Sequence, residues 1–176
     1  MASFNVSILF ETPPEILIQA AEQLPPQIQA LAQLAAKEGY EPLTRLIEEY
    51  QSGKNRFDQK GEVLLLAYDQ DQLIACGGLN QQWGENEIEA RIGRVRRFYV
   101  HPKYRKSGVG RQLLAHLEKC ARPNFSALCL NTADLSAASF YQKQNYVFVE
   151  NHPNYNYFLC TRQISQNPYP IRILPS

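Results

Sequence analysis

The sequence predicts a mixed α/β domain built on a mostly antiparallel sheet. Two observations carry that expectation. Apolar runs of strand length recur through the middle and end of the chain, and stretches with helical apolar spacing fall before and between them. The resulting order is β, helices, ββ, βα, βα, ββ. The 176 residues, 44% hydrophobic, can bury one sizeable core, so one domain is expected over residues 1–165 with an irregular tail over 166–176.

Each element has its own local signal. Phe4, Val6, Ile8 and Phe10 alternate with Asn5, Ser7 and Leu9, a strand that Pro13-Pro14 stops. From Glu15 to about Gln51 the chain is rich in Ala, Leu, Gln and Glu, with helical spacing at Ile28, Leu31, Leu34 and Ala35; Pro25-Pro26 and Gly39 to Pro42 divide it into two or three helices. Glu62–Tyr68 and Leu73–Leu79, separated by Asp69-Gln70-Asp71-Gln72, form an antiparallel hairpin. A strand beginning near Ile88 or Arg91 ends at Val100, before His101-Pro102. The helix over 108–121 carries an apolar stripe of Val109, Leu113, Leu117 and Cys120. Phe125–Leu130 is a strand, Leu135–Gln144 a short helix that Asp134 or Ser136 caps, and Tyr146–Glu150 with Tyr155–Gln163 two closing strands.

Charge divides the chain more sharply than its net +1 suggests. Residues 1–90 hold five basic and fourteen acidic side chains, residues 91–176 thirteen basic and three acidic. No Asp or Glu occurs from Arg91 to Leu117, a stretch with Arg91, Arg94, Arg96, Arg97, Lys103, Arg105, Lys106 and Arg111. Such a stretch suits a polyphosphate partner. Nucleic acid is not expected, because only Phe98, Tyr99 and Tyr104 interleave the cations as stacking platforms. Cys76, Cys120, Cys129 and Cys160 lack zinc-ligand or CxxC spacing and are expected to be buried free thiols, with no metal site. No apolar run is long enough to span a membrane and no signal sequence is evident, which leads to the expectation of a cytoplasmic protein.

The chemistry concentrates at Arg105-Lys106-Ser107-Gly108-Val109-Gly110-Arg111, between a strand and a helix. Glycines there let an anion approach the unpaired N–H groups of the helix's first turn, at the positive end of its dipole, with Arg105, Lys106 and Arg111 around it. The spacing is neither a Walker loop nor GxGxxG.

Arg97-Phe98-Tyr99-Val100-His101-Pro102 followed by Arg105-x-x-Gly108-x-Gly110 closely resembles the acetyl-CoA-binding motif of the GNAT superfamily of N-acetyltransferases. Leu128-Cys129-Leu130-Asn131 and Ala138-Ser139-Phe140-Tyr141-Gln142-Lys143 continue the resemblance, which covers about Arg94 to Phe148. It implies a GNAT-like fold, a central sheet flanked by helices on both faces. It also implies acetyl transfer from acetyl-CoA to an amine acceptor, a small molecule, peptide or protein. The pyrophosphate would lie on main-chain N–H groups of Lys106, Ser107, Gly108, Gly110 and Arg111, with Val109 opening the helix. Backbone groups of Phe98, Tyr99 and Val100 would hold the pantetheine arm, Asn131 would flank it, and Tyr141 would protonate the departing thiolate.

Two departures from the family pattern stand out. Asn145 replaces a glycine before Tyr146, at a position where Asn tolerates the left-handed conformation. The strand before the loop lacks the carboxylate many members carry, leaving Glu87, Glu89 and His152 as candidates for the general base. An inactive acyl-CoA sensor of the same fold is therefore the competing reading. On the acceptor side, Glu38, Glu41, Glu48, Glu49 and Glu150, with Tyr40, Tyr50, Tyr155 and Tyr157, suggest attraction of a cationic amine, with Trp83 as a further wall. His101 is expected to shape the turn at Pro102. Self-association into a homodimer is compatible with this reading.

Overall fold

The computed structural model describes residues 15–82 and 91–161. The first expected strand, Trp83, Glu87, Glu89 and the tail lie outside them. The described chain forms strand β1 (Ile16–Ala20), helices α1 (Ile28–Lys37) and α2 (Pro42–Ser52), then β2 (Val63–Asp69), β3 (Gln72–Gln81) and β4 (Ile92–Val100). Helix α3 (Val109–Ala121), β5 (Ala127–Leu130), α4 (Leu135–Lys143), β6 (Val147–Phe148) and β7 (Tyr157–Cys160) complete it. The sheet order is β1-β2-β3-β4-β5-β7-β6, and only β4 and β5 run parallel. This is the mixed α/β architecture the sequence predicts.

Ile16–Ala20 is a strand and not the start of a helix. Pro13-Pro14 and Pro25-Pro26 bracket a segment that contains Ile16-Leu17-Ile18, a run that favours extended backbone. It instead pairs antiparallel with β2, from Ile16 opposite Asp69 to Ala20 opposite Leu65. Ile16 and Ile18 turn towards the core while Leu17 is exposed, the alternation of a half-buried strand.

Two apolar layers sandwich the sheet. On one face α3 buries Val109, Leu113, Leu114, Leu117 and Ala121 with Phe125, Leu128, Tyr141 and Tyr146. On the other, α1 and α2 bury Ile28, Leu31, Ala35, Leu43, Leu46 and Ile47 against Leu64, Leu66, Cys76 and Tyr99. The α3 stripe differs from expectation at one place: Cys120 is exposed, and Glu118 is buried in its stead. Residues 113, 114, 117 and 121 recur three and four apart along one face, which turns position 118 inward and 120 outward. All four cysteines are free, and only Cys76 and Cys129 are buried.

Candidate active site

Strand β4 is interrupted by a bulge at Arg97. Arg96 opposes Gly78 and Tyr99 opposes Cys76, so β4 contains one residue more than β3 across this interval. Arg97 has φ +57°, a conformation that costs a non-glycine residue energy of order 1 kcal/mol. Its side chain is buried and pairs with Glu49 of α2 at 2.7 Å, which anchors the strained residue. Gly77 lies where the register shifts; a Cβ there would stand 2.8 Å from the Phe98 ring.

Ahead of the bulge, after Arg94, the two parallel strands separate. β4 and β5 pair only from Ile92–Ala127 to Arg94–Cys129, and among the described residues no strand pairs with the rest of β4 on that side. His101 N–H donates to Ile74 O at 2.7 Å, and alternation along the ladder then turns the Tyr99 main chain towards β3 and those of Phe98 and Val100 towards the gap. Two gap-facing carbonyls are already engaged: the Tyr40 hydroxyl donates to Phe98 O at 3.0 Å and Arg105 Nε to Val100 O at 3.0 Å. Of the three residues expected to present backbone to the pantetheine arm, Phe98 and Val100 turn main chain towards the gap and Tyr99 turns it towards β3. Tyr99 contributes its ring instead, stacked on Tyr40 at 5.6 Å.

The gap leads to the glycine loop. Lys106 and Gly108 have φ of +61° and +92°, and Gly108 precedes α3 without a side-chain cap. Among the described residues, no backbone hydrogen bond is donated by Lys106, Ser107, Gly108, Val109 or Gly110; the first, from Gln112 to Gly108 O, closes the helix at 3.0 Å. These N–H groups, at the positive end of α3, form a cradle of anion-binding donors. A Cβ on Gly110 would make only ordinary contacts with Val100 and Phe140, so this glycine leaves space and is not demanded by packing. Lys106 and Arg111 are exposed beside the cradle.

Arg105 is differently employed from expectation. Its guanidinium grips Glu38, at the end of α1, through contacts of 2.9 and 2.7 Å, and lies 5.3 Å from the Tyr99 ring centroid. Tyr99 also donates its hydroxyl to Glu38. These bonds, Arg105 first, hold the Glu38 carboxyl below the usual carboxylate range. The sequence gives no hint of this partnership, since the two residues are far apart in the chain.

Tyr141, on α4, is buried with its ring 6.0 Å from Phe98, 5.1 Å from Phe140 and 5.5 Å from Tyr146. Burial, with a smaller contribution from Tyr40, raises its phenol well above the ordinary tyrosine value, so it is protonated at any physiological pH. Asn131 is exposed just past β5, and Asp134 caps α4 by accepting from Ala137 N–H at 2.7 Å. His101 accepts from Lys103 N–H and shapes the turn as expected. His152 stacks on Tyr155 at 3.7 Å and accepts from Asn154 N–H, within its own loop. Asn145 has φ +68°, the left-handed turn anticipated for it.

The Acetyltransferase (GNAT) domain model matches residues 60–148, half of the chain. The chain belongs to the GNAT acetyltransferase family. The matched segment of this GNAT protein runs from the start of the hairpin to the end of β6 and contains the bulge, the glycine loop, α3 and Tyr141. Its fold is shared with a protein from Exiguobacterium sp. 255-15 described as an acetyltransferase, with TM-score 0.75 and 24% identity over 87% of this chain and 99% of the other. An acetyltransferase from Streptococcus agalactiae 2603 aligns with TM-score 0.64 and 16% identity over 82% and 98% of the two chains. No curated protein sequence matches it.

Proposed function

We propose that this GNAT protein transfers an acetyl group from acetyl-CoA to a primary amine, with Tyr141 as general acid. The observation that carries the reading is the continuity of the β4–β5 gap with unpaired N–H donors at the start of α3. Lys106, Ser107, Gly108, Gly110 and Arg111 would hold the pyrophosphate, while Phe98 and Val100 offer main chain to the arm and Asn131 flanks it. Acetyl-CoA supplies an activated acyl group as a thioester. On this reading the Tyr141 phenol, protonated at neutral pH, gives its proton to the thiolate as charge develops on sulfur, a transfer that its burial makes harder. Among the described residues, β4 carries no carboxylate or imidazole, and on this reading the acceptor amine loses its proton through water.

Titration calorimetry with acetyl-CoA, followed by a thiol-release assay on a panel of amines, tests the reading. Wild type is expected to bind, and a Gly108→Glu, Gly110→Glu variant to lose binding while keeping its circular dichroism spectrum. Tyr141→Phe is expected to bind acetyl-CoA as wild type does and to lower kcat by about a hundredfold or more. Absence of wild-type binding would sink acetyl transfer. Binding without thiol release from any amine would favour the acyl-CoA sensor.

A further inference from the structure

The side of β4 turned towards α1 and α2 carries Arg94 and Arg96, neither of which forms an ion pair among the described residues. Register fixes their placement: Arg94 opposes Asn80, which bonds Asn55, and Arg96 opposes Gly78, where a Cβ would collide with Phe57 of the α1–α2 layer. Both side chains therefore lie on the layer where Tyr99 meets Tyr40. Among the described residues, Arg94 donates only to neutral oxygens, Gln82 Oε1 at 3.0 Å and Asn154 O at 2.7 Å, and forms no ion pair. Arg96 is partly buried and has no hydrogen bond or ion pair among the described residues. Arg97, beside it, meets Glu49 through one nitrogen and leaves its buried Nε–H unpartnered.

Among the described residues, Glu49 and Glu62 are the carboxylates that act on Arg96, each at longer range than an ion pair and each already bonded elsewhere. Glu38 is held by Arg105 and Tyr99, Glu49 by Arg97, and Glu62 accepts main-chain N–H from Gln59 and Gln81. Glu41, Glu48 and Glu150 are exposed. A partly desolvated guanidinium with unfilled donors, next to two others, selects an oxyanion. A diamine placed there would meet like charge in a poorly screened setting.

We infer that the acceptor is a small amine bearing its own oxyanion, a carboxylate or phosphate, which Arg96 binds with support from Arg94. This inference names the substrate class for the proposed acetyl transfer and rests on that reading. It reverses the sequence expectation of a cationic acceptor.

The test compares β-alanine and 2-aminoethyl phosphate with β-alaninamide and 1,3-diaminopropane, using thiol release per concentration of unprotonated amine. At least one anionic amine is expected to exceed both others tenfold in kcat/KM, and the better of the two anions identifies the group bound. Arg96→Gln is expected to erase that preference by raising KM at least tenfold with kcat within threefold. Arg96→Lys should restore part of it, and Lys119→Gln, an equal change of charge on the far side of α3, should change nothing. Preference for diaminopropane, or an unchanged ratio in Arg96→Gln, overturns the inference and leaves acetyl transfer standing. If acetyl-CoA fails to bind, acetyl transfer falls, and calorimetric titration of β-alanine and 2-aminoethyl phosphate into the free protein decides Arg96 separately. That titration also decides the case in which no amine is acetylated. Heat lost in Arg96→Gln supports the site, and absence of binding in wild type overturns it.

Discussion

Burial raises the Glu118 carboxyl from 4.5 to about 7. It lies on α3 near Tyr146, whose buried hydroxyl feels the carboxylate electrostatically but makes no hydrogen bond of good geometry with it. A folded-state value above the unfolded one means that the native protein binds the proton more tightly. The contribution of this group to stability is therefore full below about pH 4.5 and is lost as pH rises through about 7. Glu118→Gln is expected to be more stable than wild type at pH 8 by about 2 kcal/mol, an advantage that largely disappears at pH 5. Urea midpoints at the two pH values measure it, and an equal difference at both would contradict ionisation as the cause.

At the scale of the element, β3 is shaped by what it lacks. Gly78 faces Phe57, and a Cβ on it would approach the ring to 2.3 Å. Phe57 itself has φ +56° and donates its N–H to Asn55 Oδ1, so the loop after α2 is pinned over the strand and has little room to retreat. Gly78→Ala is expected to lower unfolding stability by about 1–3 kcal/mol through overpacking. Denaturant titration checks this, and a companion Gly78→Ala, Phe57→Leu variant should recover part of the loss. The same elements show how far local pattern reaches. The hairpin, α3 and α4 are legible in sequence because caps, turns and apolar spacing are local signals. β1 is not, because its backbone chooses a strand only when the edge of β2 is there to receive it.

Across the whole molecule, Glu38 and Arg105 join the helical layer to the glycine loop. Both ends are well exposed, at 35% and 44%, so the link contributes little to stability, and a double-mutant cycle with Glu38→Gln and Arg105→Gln is expected to give about 0.5–1 kcal/mol, shrinking at high salt. The Glu38 carboxyl is held below its usual range, so this coupling should persist above pH 4.5 and vanish only in stronger acid, as the native carboxylate takes its proton. A coupling independent of salt and pH would point to packing of the arginine stem on Tyr99.

The sequence alone determined the glycine loop, the helix behind it, the buried phenol's position on α4 and the mixed sheet. These follow from spacing within short segments, where backbone hydrogen bonds and steric limits act between near neighbours. What only tertiary structure decided is the use made of charge. Strict alternation along β4 would put Arg94, Arg96, Phe98 and Val100 on one face. The bulge at Arg97 inserts one residue, and Phe98 and Val100 turn to the α3 layer while the arginines stay opposite. Whether Glu38 and Glu49 are free to meet a ligand likewise depends on partners in distant segments, Arg105 and Arg97, that only folding brings within reach.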